Sequence, residues 1–167
     1  SMMYTVSMIL VAMSFGGILE HTGMLQAMMD KILKIAKAGG GVVAATVMSA
    51  TATNAACAEQ YVSIVVPSRM FAQSYKNKHL KSKNLSRALE DGGTLTSVFF
   101  AWNTCGVFIF GTLGVSAFEY AAYAVFNYAV PIISIIFAYT GFTIEKMSDE
   151  EIAELKMEKE EEPAPQV

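Results

Sequence analysis

The fold is decided by the stretch Leu89-Glu-Asp-Gly-Gly-Thr-Leu-Thr-Ser97, then Val-Phe-Phe-Ala, then Trp102-Asn-Thr-Cys-Gly106. Glu90 and Asp91 are adjacent carboxylates, and no charged residue follows them from position 92 to position 118. That uncharged run is long enough to cross a bilayer, where an ionisable side chain is costly and indicates a functional site. The Gly-Gly pair and the Asn-Thr-Cys-Gly cluster both weaken a continuous helix. Polar groups beside helix breaks at membrane depth are typical of ion-coupled carriers.

The composition of the chain indicates a membrane protein. Of its 167 residues 53% are hydrophobic, and the mean hydropathy is +0.40. Four runs carry few or no charges: 1–19, 38–68, 92–118 and 120–144. Since a spanning helix needs ~20 predominantly apolar residues, we expect an all-α, polytopic membrane bundle. Residues 2–19, 92–118 and 120–144 are its three predicted transmembrane helices.

Two further segments are predicted between the first and second spans. Residues 24–37 carry three lysines on one face, which is typical of a helix lying in the membrane interface. Residues 39–71 are too long for one crossing and too short for two. Both flanks of 39–71 are basic, which indicates the cytoplasmic side at each end. We therefore expect a re-entrant helical hairpin, with its tip at the small polar residues 49–54.

The end of the chain differs from the rest in charge. From Glu145 onward there are nine acidic residues and three lysines, so this part carries −6 and the remainder +3. Such a segment has too little apolar surface to pack. We expect a membrane transport domain at 1–144 and a solvated acidic tail at 145–167, which alternation of the spans places in the cytoplasm.

The hairpin offers one group of candidate ion ligands. Thr53 and Asn54 lie at its expected tip, with Glu59 and Gln60 shortly after. Hydroxyl and amide oxygens are neutral ligands suited to a partly dehydrated Na⁺, and broken helices expose backbone carbonyls to the same ion. Small hydroxyl residues also simply allow close helix packing in lipid, the interpretation we prefer for Ser49 and Thr51.

The carboxylate pair offers the second group. On a helix Glu90 and Asp91 point about 100° apart, so we expect Asp91 to bind the ion and Glu90 to pair with Arg87. The alternative is that both lie at headgroup level beside Arg87. Further along the chain, the candidate ligands that recur close to helical spacing are Thr96, Asn103 and Thr104.

Other chemistries find no support in the sequence. The Gly-Gly-Gly at 39–41 is not followed by the Lys-Ser/Thr of a phosphate loop, and two histidines at segment ends build no catalytic triad. The basic loop 76–87 lacks the interleaved aromatic residues typical of nucleic-acid binding. We expect neither an enzyme nor a nucleic-acid partner.

Four stretches resemble the NhaC family of Na⁺/H⁺ antiporters. They are Gly-Gly-Ile-Leu-Glu-His-Thr-Gly at 16–23, Thr-Asn-Ala-Ala-Cys-Ala-Glu-Gln-Tyr-Val-Ser-Ile at 53–64, Leu-Ser-Arg-Ala-Leu-Glu-Asp-Gly-Gly-Thr at 85–94, and Trp-Asn-Thr-Cys-Gly at 102–106. The resemblance implies that the chain is the C-terminal half of a longer transporter, and that this half is one of two inverted repeats. One departure is Ala101, where the family often has proline.

The resemblance implies partners and a location. The missing N-terminal half is the partner that the resemblance implies, whereas the lipid bilayer is the partner expected from composition. A homodimer with a second copy is an open alternative to a single copy. The location is the plasma membrane of a prokaryote. We expect no cofactor, only the transported Na⁺ and H⁺.

Our functional hypothesis is Na⁺/H⁺ antiport. Asp91, with Glu59 as second choice, would bind either Na⁺ or a proton, while the neutral candidates named above supply oxygens. One alternative is Na⁺-coupled carboxylate exchange of the malate and lactate type, with Arg69 or a half-helix N-terminus holding the anion. Another is an inactive, truncated membrane scaffold.

Overall fold

The structure is a computed structural model that describes residues 2–24, 27, 39–57, 59–148 and 151–152. The described residues form helices and turns, with one isolated β-bridge between Leu80 and Lys146. The expectation of an all-α fold is confirmed. Helix α1, Met2–His21, covers the first expected span. The expected interfacial helix 24–37 lies outside the described residues, apart from Met24 and Ala27.

Two helices occupy the region of the expected hairpin and pack against each other. They are α2, Gly39–Cys57, and α3, Gln60–Asn77. The expected tip at 49–54 is wrong, because those residues lie inside α2. The hydroxyls of Thr51 and Thr53 donate to carbonyls one turn earlier in α2, at 2.9 and 2.8 Å. They therefore bond within the helix instead of ending it.

The chain turns between the two helices at residues 58–59. Glu59 is the N-cap of α3: its backbone is extended, and its Oε1 accepts a hydrogen bond from the backbone N–H of Tyr61 at 3.3 Å. A side-chain acceptor at this position satisfies one of the unpaired N–H groups at a helix start.

The expected span 92–118 is not a single helix, because the chain is broken within it. Helix α4, Ser82–Leu89, runs into a π-helical turn at Glu90–Thr94 and a 3₁₀ turn at Ser97–Phe99. Helix α5, Thr104–Leu113, then starts in a new direction. The two parts, Ser82–Phe99 and Thr104–Leu113, are bent by 43°.

Two residues account for this break. Asn103 is the N-cap of α5, and its Oδ1 accepts from the backbone N–H of Cys105 at 3.2 Å. At Gly106 a Cβ would lie only 2.4 Å from the Phe100 carbonyl oxygen, so only glycine lets the chain fold back this closely. The expectation that the glycines and the polar cluster interrupt the helix is confirmed.

After α5 come a single helical turn, α6 (Ala117–Tyr120), and helix α7 (Val125–Thr140). The expected span 120–144 is thus a 16-residue helix, with Pro131 inside it. Within the described residues no helix by itself combines the length and apolarity of a membrane span. Among the described helices, the bent pair formed by 82–99 and 104–113 is the one combination that has the length and apolarity of a span.

Helix α2 lies at the centre of the bundle and contacts α3, α7 and the π-helical turn. Its buried valines pack against Phe71 and Tyr75 of α3 and Ala138 of α7. By contrast, α6 and α7 point large apolar side chains outward, among them Phe118, Phe126 and Ile132. A solvent-exposed surface would not favour these outward side chains, whereas lipid or further protein would.

Candidate ion-translocation site

The π-helical turn lies directly against the backbone of α2 and α3. A Cβ added at Gly92 would lie 2.5 Å from the Val47 carbonyl oxygen and 2.8 Å from the Val47 Cα. One added at Gly93 would lie 3.0 Å from Ile64 Cγ1 and 3.1 Å from Ser63 Oγ. The Gly-Gly pair is therefore what lets three backbone segments meet at this point.

Four polar side chains form a hydrogen-bonded group beside this turn, which we call the amide cluster: Asn54, Thr96, Asn103 and Thr104. The Asn54 Nδ2 donates to the Gly93 carbonyl at 2.5 Å and to Thr96 Oγ1 at 3.2 Å. Asn103 Nδ2 donates to Asn54 Oδ1 at 3.1 Å, and Thr104 Oγ1 donates to Asn103 Oδ1 at 3.3 Å. The structure thus brings together four of the candidate ligands from three parts of the chain.

The amide cluster is fully enclosed at its centre, because Asn54 and Asn103 are both 0% exposed. Backbone carbonyls of the turn belong to the same network. The Gly92 carbonyl accepts from Thr96 at 2.5 Å and from Thr51 at 3.2 Å. Neutral hydroxyl, amide and carbonyl oxygens that converge at a non-α-helical backbone are the groups that coordinate Na⁺ in transporters.

Asp91 lies in the same turn but has different neighbours. It is 8% exposed, and its Oδ2 is buried without a hydrogen-bond partner among the described residues. Arg87 Nε is 3.8 Å from that Oδ2, and the Ser134 hydroxyl of α7 lies beside the carboxylate. A buried carboxylate with one unbonded oxygen is costly unless something else neutralises it.

The two adjacent carboxylates point in different directions, as helix geometry predicts. Glu90 is exposed while Asp91 is buried. The expectation that Arg87 pairs with Glu90 is wrong, because Arg87 pairs with Asp91 at the i, i+4 spacing. Among the described residues, no hydrogen bond joins Asp91 to the amide cluster. The link between them is the backbone, because the Gly92 carbonyl that accepts from Thr96 follows Asp91 directly.

The remaining candidates lie at the edge of this site. Glu59 caps α3, as described above, and makes no described hydrogen bond to the amide cluster. Gln60 borders the cluster, because its Oε1 accepts from the Cys105 thiol at 2.9 Å. The hydroxyl of Thr53 is directed at the Ser49 carbonyl, within α2.

Three contacts near the site were not expected from the sequence. The Trp102 Nε1 donates to the Ala55 carbonyl at 2.9 Å and ties the break before α5 to the end of α2. Asn127 Nδ2 of α7 donates to the Leu95 carbonyl at 2.9 Å, and Ser134 lies beside Asp91. Asn127 and Ser134 are isolated polar residues in an apolar run, and that pattern is the signal that could have identified them.

A buried carboxylate, a cluster of neutral oxygens and a broken helix are features with which ion-coupled secondary transporters build their ion sites. Comparison with known proteins agrees. The chain belongs to the Na⁺/H⁺ antiporter family, whose model matches residues 1–142.

Three relatives illustrate the family. The chain is 38% identical to the Na⁺/H⁺ antiporter NhaC of Bacillus subtilis over 83% of its own length and 31% of the relative. It is 34% identical to NhaC of Alkalihalophilus pseudofirmus over 87% of itself and 32% of the relative. It is 33% identical to the malate-2H⁺/Na⁺-lactate antiporter of Bacillus subtilis over 84% of itself and 30% of the relative. No solved structure matches the chain.

The chain therefore spans about a third of the length of these relatives, where the resemblance implied half.

Proposed function

We propose that the full-length protein to which this chain belongs exchanges Na⁺ for H⁺ across a prokaryotic cell membrane, and that Asp91 binds either cation or proton. The observation that carries the proposal is that Asp91 Oδ2 is buried and has no hydrogen-bond partner among the described residues. The carbonyls of the next two residues, Gly92 and Gly93, accept hydrogen bonds from the amide cluster. Membership of the antiporter family supports the same reading.

The exchange follows from competition at one carboxylate. Either a proton or a Na⁺ neutralises Asp91. Because burial destabilises a charged carboxylate that has no partner, Asp91 is more stable with one of the two bound than with neither. Arg87 is half-exposed at 3.8 Å and supplies only partial compensation. If the carrier changes sides only with Asp91 neutralised, the two fluxes are coupled in opposite directions.

The amide cluster supplies what the carboxylate lacks. A dehydrated Na⁺ needs several oxygens, and Asn54, Thr96, Asn103 and the carbonyls of Gly92 and Gly93 offer them from a buried position. These oxygens carry no charge, so they bind the ion without a proton of their own. In this proposal Asp91 provides the proton coupling, and the amide cluster provides the neutral ligands.

The proposal includes the surroundings of the chain. The bilayer covers the outward apolar side chains of α6 and α7, and the part of the transporter beyond this chain completes the translocation path. A second copy in a homodimer is a further expectation.

The test uses everted membrane vesicles that contain the full-length protein, with a pH-sensitive dye, on addition of Na⁺ and of K⁺. We expect Na⁺ to dissipate the proton gradient in the wild type and to have no effect on Asp91→Asn. Glu90→Gln is the matched control, because it removes the adjacent but exposed carboxylate, and it should retain exchange. Normal exchange by Asp91→Asn, in vesicles shown to contain the protein, would remove Asp91 from this role.

A second candidate function is Na⁺-coupled exchange of carboxylates. The similarity to a malate-2H⁺/Na⁺-lactate antiporter over 84% of the chain favours this function. In it, Arg69, which is exposed on α3, would bind the substrate carboxylate. Uptake of radiolabelled malate or lactate in the same vesicles separates the two functions. Uptake that depends on Na⁺ and is lost in Arg69→Gln would support carboxylate exchange, and its absence would leave simple antiport.

A further inference from the structure

Three backbone carbonyls close to the amide cluster accept hydrogen bonds from side chains. Each donor lies on a different part of the chain from the carbonyl, so each bond joins two elements. We call these three the anchoring bonds: Asn127 Nδ2 to the Leu95 carbonyl at 2.9 Å, Tyr120 Oη to the Val98 carbonyl at 2.5 Å, and Trp102 Nε1 to the Ala55 carbonyl at 2.9 Å. Two of the donors, Tyr120 and Asn127, belong to α6 and α7.

The anchored carbonyls in the break lack the donors that an α-helix would provide. In an α-helix the Phe99 N–H would donate to the Leu95 carbonyl, but here it donates to the Thr96 carbonyl at 3.1 Å. The chain is extended at Phe100, with φ −91° and ψ 109°, which ends the helical pattern after Val98. Non-helical backbone at membrane depth requires hydrogen-bond partners from the protein, and the anchoring bonds provide them.

The bond from Asn127 acts on Thr96, a member of the amide cluster. The Leu95 carbonyl and the Thr96 N–H belong to one peptide group, which is planar. A donor that fixes this carbonyl therefore also restricts the backbone of Thr96. Thr96 is 6% exposed, and its Oγ1 already bonds to the Gly92 carbonyl and to Asn54. Asn127 thus orients Thr96 from α7, outside the cluster.

The bond from Tyr120 acts on the loop between two members of the amide cluster. Val98 lies in this loop, 97–102, so a bond to its carbonyl restricts the loop between its ends. Tyr120 is itself held in place, because α6 begins with a capping box. In that box the Ser116 N–H donates to the Glu119 carboxylate at 2.7 Å. The donor is therefore on a fixed element.

Trp102 repeats this arrangement at the far end of the loop. It precedes Asn103, and Ala55, whose carbonyl it binds, follows Asn54. Ala55 lies in the last turn of α2, where carbonyls have no partner within the helix. Asn103 Nδ2 donates to Asn54 Oδ1 at 3.1 Å. A bond between the neighbours of these two residues helps to keep them at hydrogen-bonding distance.

We propose that Asn127 and Tyr120 are positioning residues that set the affinity of the amide cluster for Na⁺, by holding residues 95–103 in the shape that the ion requires. The inference rests on the proposed function, in which the cluster binds Na⁺, and adds two residues outside the cluster. A site that is already ordered binds an ion without the cost of ordering its ligands. Loss of an anchoring bond adds that cost to binding, so the affinity falls.

The first test measures Na⁺ binding directly, by calorimetry on the purified full-length protein. Tyr120→Phe keeps the ring and removes the hydroxyl, and Asn127→Leu keeps the approximate shape and removes the amide. Each should raise the dissociation constant for Na⁺ about two- to tenfold, the equivalent of one hydrogen bond. Wild-type affinity in either variant would remove that residue from the role, and wild-type affinity in both would overturn the inference.

Tyr123→Phe is the matched control for the loss of a hydroxyl. Tyr123 is 86% exposed, and its hydroxyl makes no hydrogen bond among the described residues. Its removal should leave Na⁺ binding as in the wild type. An affinity lowered as much in Tyr123→Phe as in Tyr120→Phe would contradict a specific role for the bond to Val98.

The second test separates positioning from a general loss of folded protein. In everted vesicles Tyr120→Phe and Asn127→Leu should raise the apparent KM for Na⁺ while the maximum exchange rate is kept. Asn127→Gln retains an amide donor and should lie closer to the wild type than Asn127→Leu. A lower maximum rate with an unchanged KM is the result of fewer folded transporters, and it would contradict the positioning role.

Thr96→Val distinguishes failure of this inference from failure of the proposed function. If Thr96→Val weakens Na⁺ binding whereas Tyr120→Phe and Asn127→Leu do not, the positioning role alone is refuted. If Thr96→Val binds Na⁺ as the wild type does, the amide cluster is not the ion site. The neutral ligands of the proposed function and the positioning role are then both refuted.

Discussion

Replacing Gly92 by alanine tests the packing on which the site depends. In the structure the three described atoms nearest to the added Cβ all belong to the backbone: the Val47 carbonyl oxygen at 2.5 Å, its Cα at 2.8 Å and its carbonyl carbon at 3.0 Å. Backbone atoms inside a helix cannot rotate away, so the π-helical turn and α2 must separate. Gly93→Ala meets mainly the side chains of Ile64 and Ser63, at 3.0 and 3.1 Å, which can adjust.

The magnitude follows from two contributions. Overpacking of a well-packed core costs about 1–3 kcal/mol. Separation of the turn from α2 also weakens the hydrogen bonds from Thr51 to the Gly92 carbonyl and from Asn54 to the Gly93 carbonyl, each worth about 0.5–1.5 kcal/mol. We expect Gly92→Ala to lower the free energy of unfolding by about 2–4 kcal/mol, and Gly93→Ala by clearly less.

The assay is chemical unfolding of the purified full-length protein in detergent, followed by circular dichroism, with exchange measured in parallel. Gly17→Ala is the control, because no atom of the residues that the structure describes lies within 4 Å of a Cβ added there, and it should be neutral or slightly stabilising. A Gly92→Ala protein as stable as Gly17→Ala would refute the close approach of the turn to α2.

Three other predictions concern the contacts around the site. Trp102→Phe keeps the ring but loses the hydrogen bond to the Ala55 carbonyl, and should lower the free energy of unfolding by about 0.5–1.5 kcal/mol in the same assay; an unchanged value would contradict that bond. Asn103→Ala should lower the free energy of unfolding by about 0.5–2 kcal/mol through the lost N-cap, and further because the buried Asn54 Oδ1 loses its donor. Asn103→Ser should recover the share of the cap but neither the bond to Asn54 nor the exchange rate; a Ser variant as unstable as Ala would show that the cap does not contribute. Hydrogen bonds from the backbone N–H of Ser148 and from Lys81 lower the pKa of Glu151. The stability that the Glu151 carboxylate contributes to the fold is therefore present at neutral pH and is lost as the pH falls through that lowered pKa. The protection of the backbone amides of residues 143–147, taken as the ratio of the intrinsic to the observed hydrogen-exchange rate, should decrease in that acidic range and not above it. A decrease only above that range would contradict the contacts of Glu151.

Much of the fold follows from sequence patterns with a direct physical cause. Apolar runs with helix-favouring composition predict an all-α chain, and the Asn-Thr-Cys-Gly cluster predicts the break where Asn103 caps α5. Glu90 and Asp91 had to point apart because successive helical residues are separated by about 100°. Asn54 was a candidate ligand by its residue type, and Thr96 and Asn103 by residue type and near-helical spacing, but the contacts among the three do not follow from the sequence.

The structural features that the sequence patterns did not predict depend on local hydrogen bonding and helix geometry. Thr51 and Thr53 were read as a polar tip, but hydroxyls that bond to carbonyls of their own helix leave it intact. The pairing of Arg87 with Asp91 also depends on how α4 continues into the π-helical turn, for which the sequence gives no clear signal. The packing of residue 145 against α4 was missed because an acidic composition does not reveal that backbone groups of Glu145 pair with the buried amide of Asn84.

The central claim is that Na⁺ and a proton compete for Asp91, and proton release on Na⁺ binding tests it most directly. Purified full-length protein is titrated with Na⁺ in a calorimeter, in two buffers with different enthalpies of ionisation, at a pH where the wild type exchanges ions. We predict that Na⁺ binding releases protons in the wild type and in Glu90→Gln, and that the release disappears in Asp91→Asn. Proton release of the same size in Asp91→Asn, or Na⁺ binding by the wild type with no release at any pH, would contradict the account.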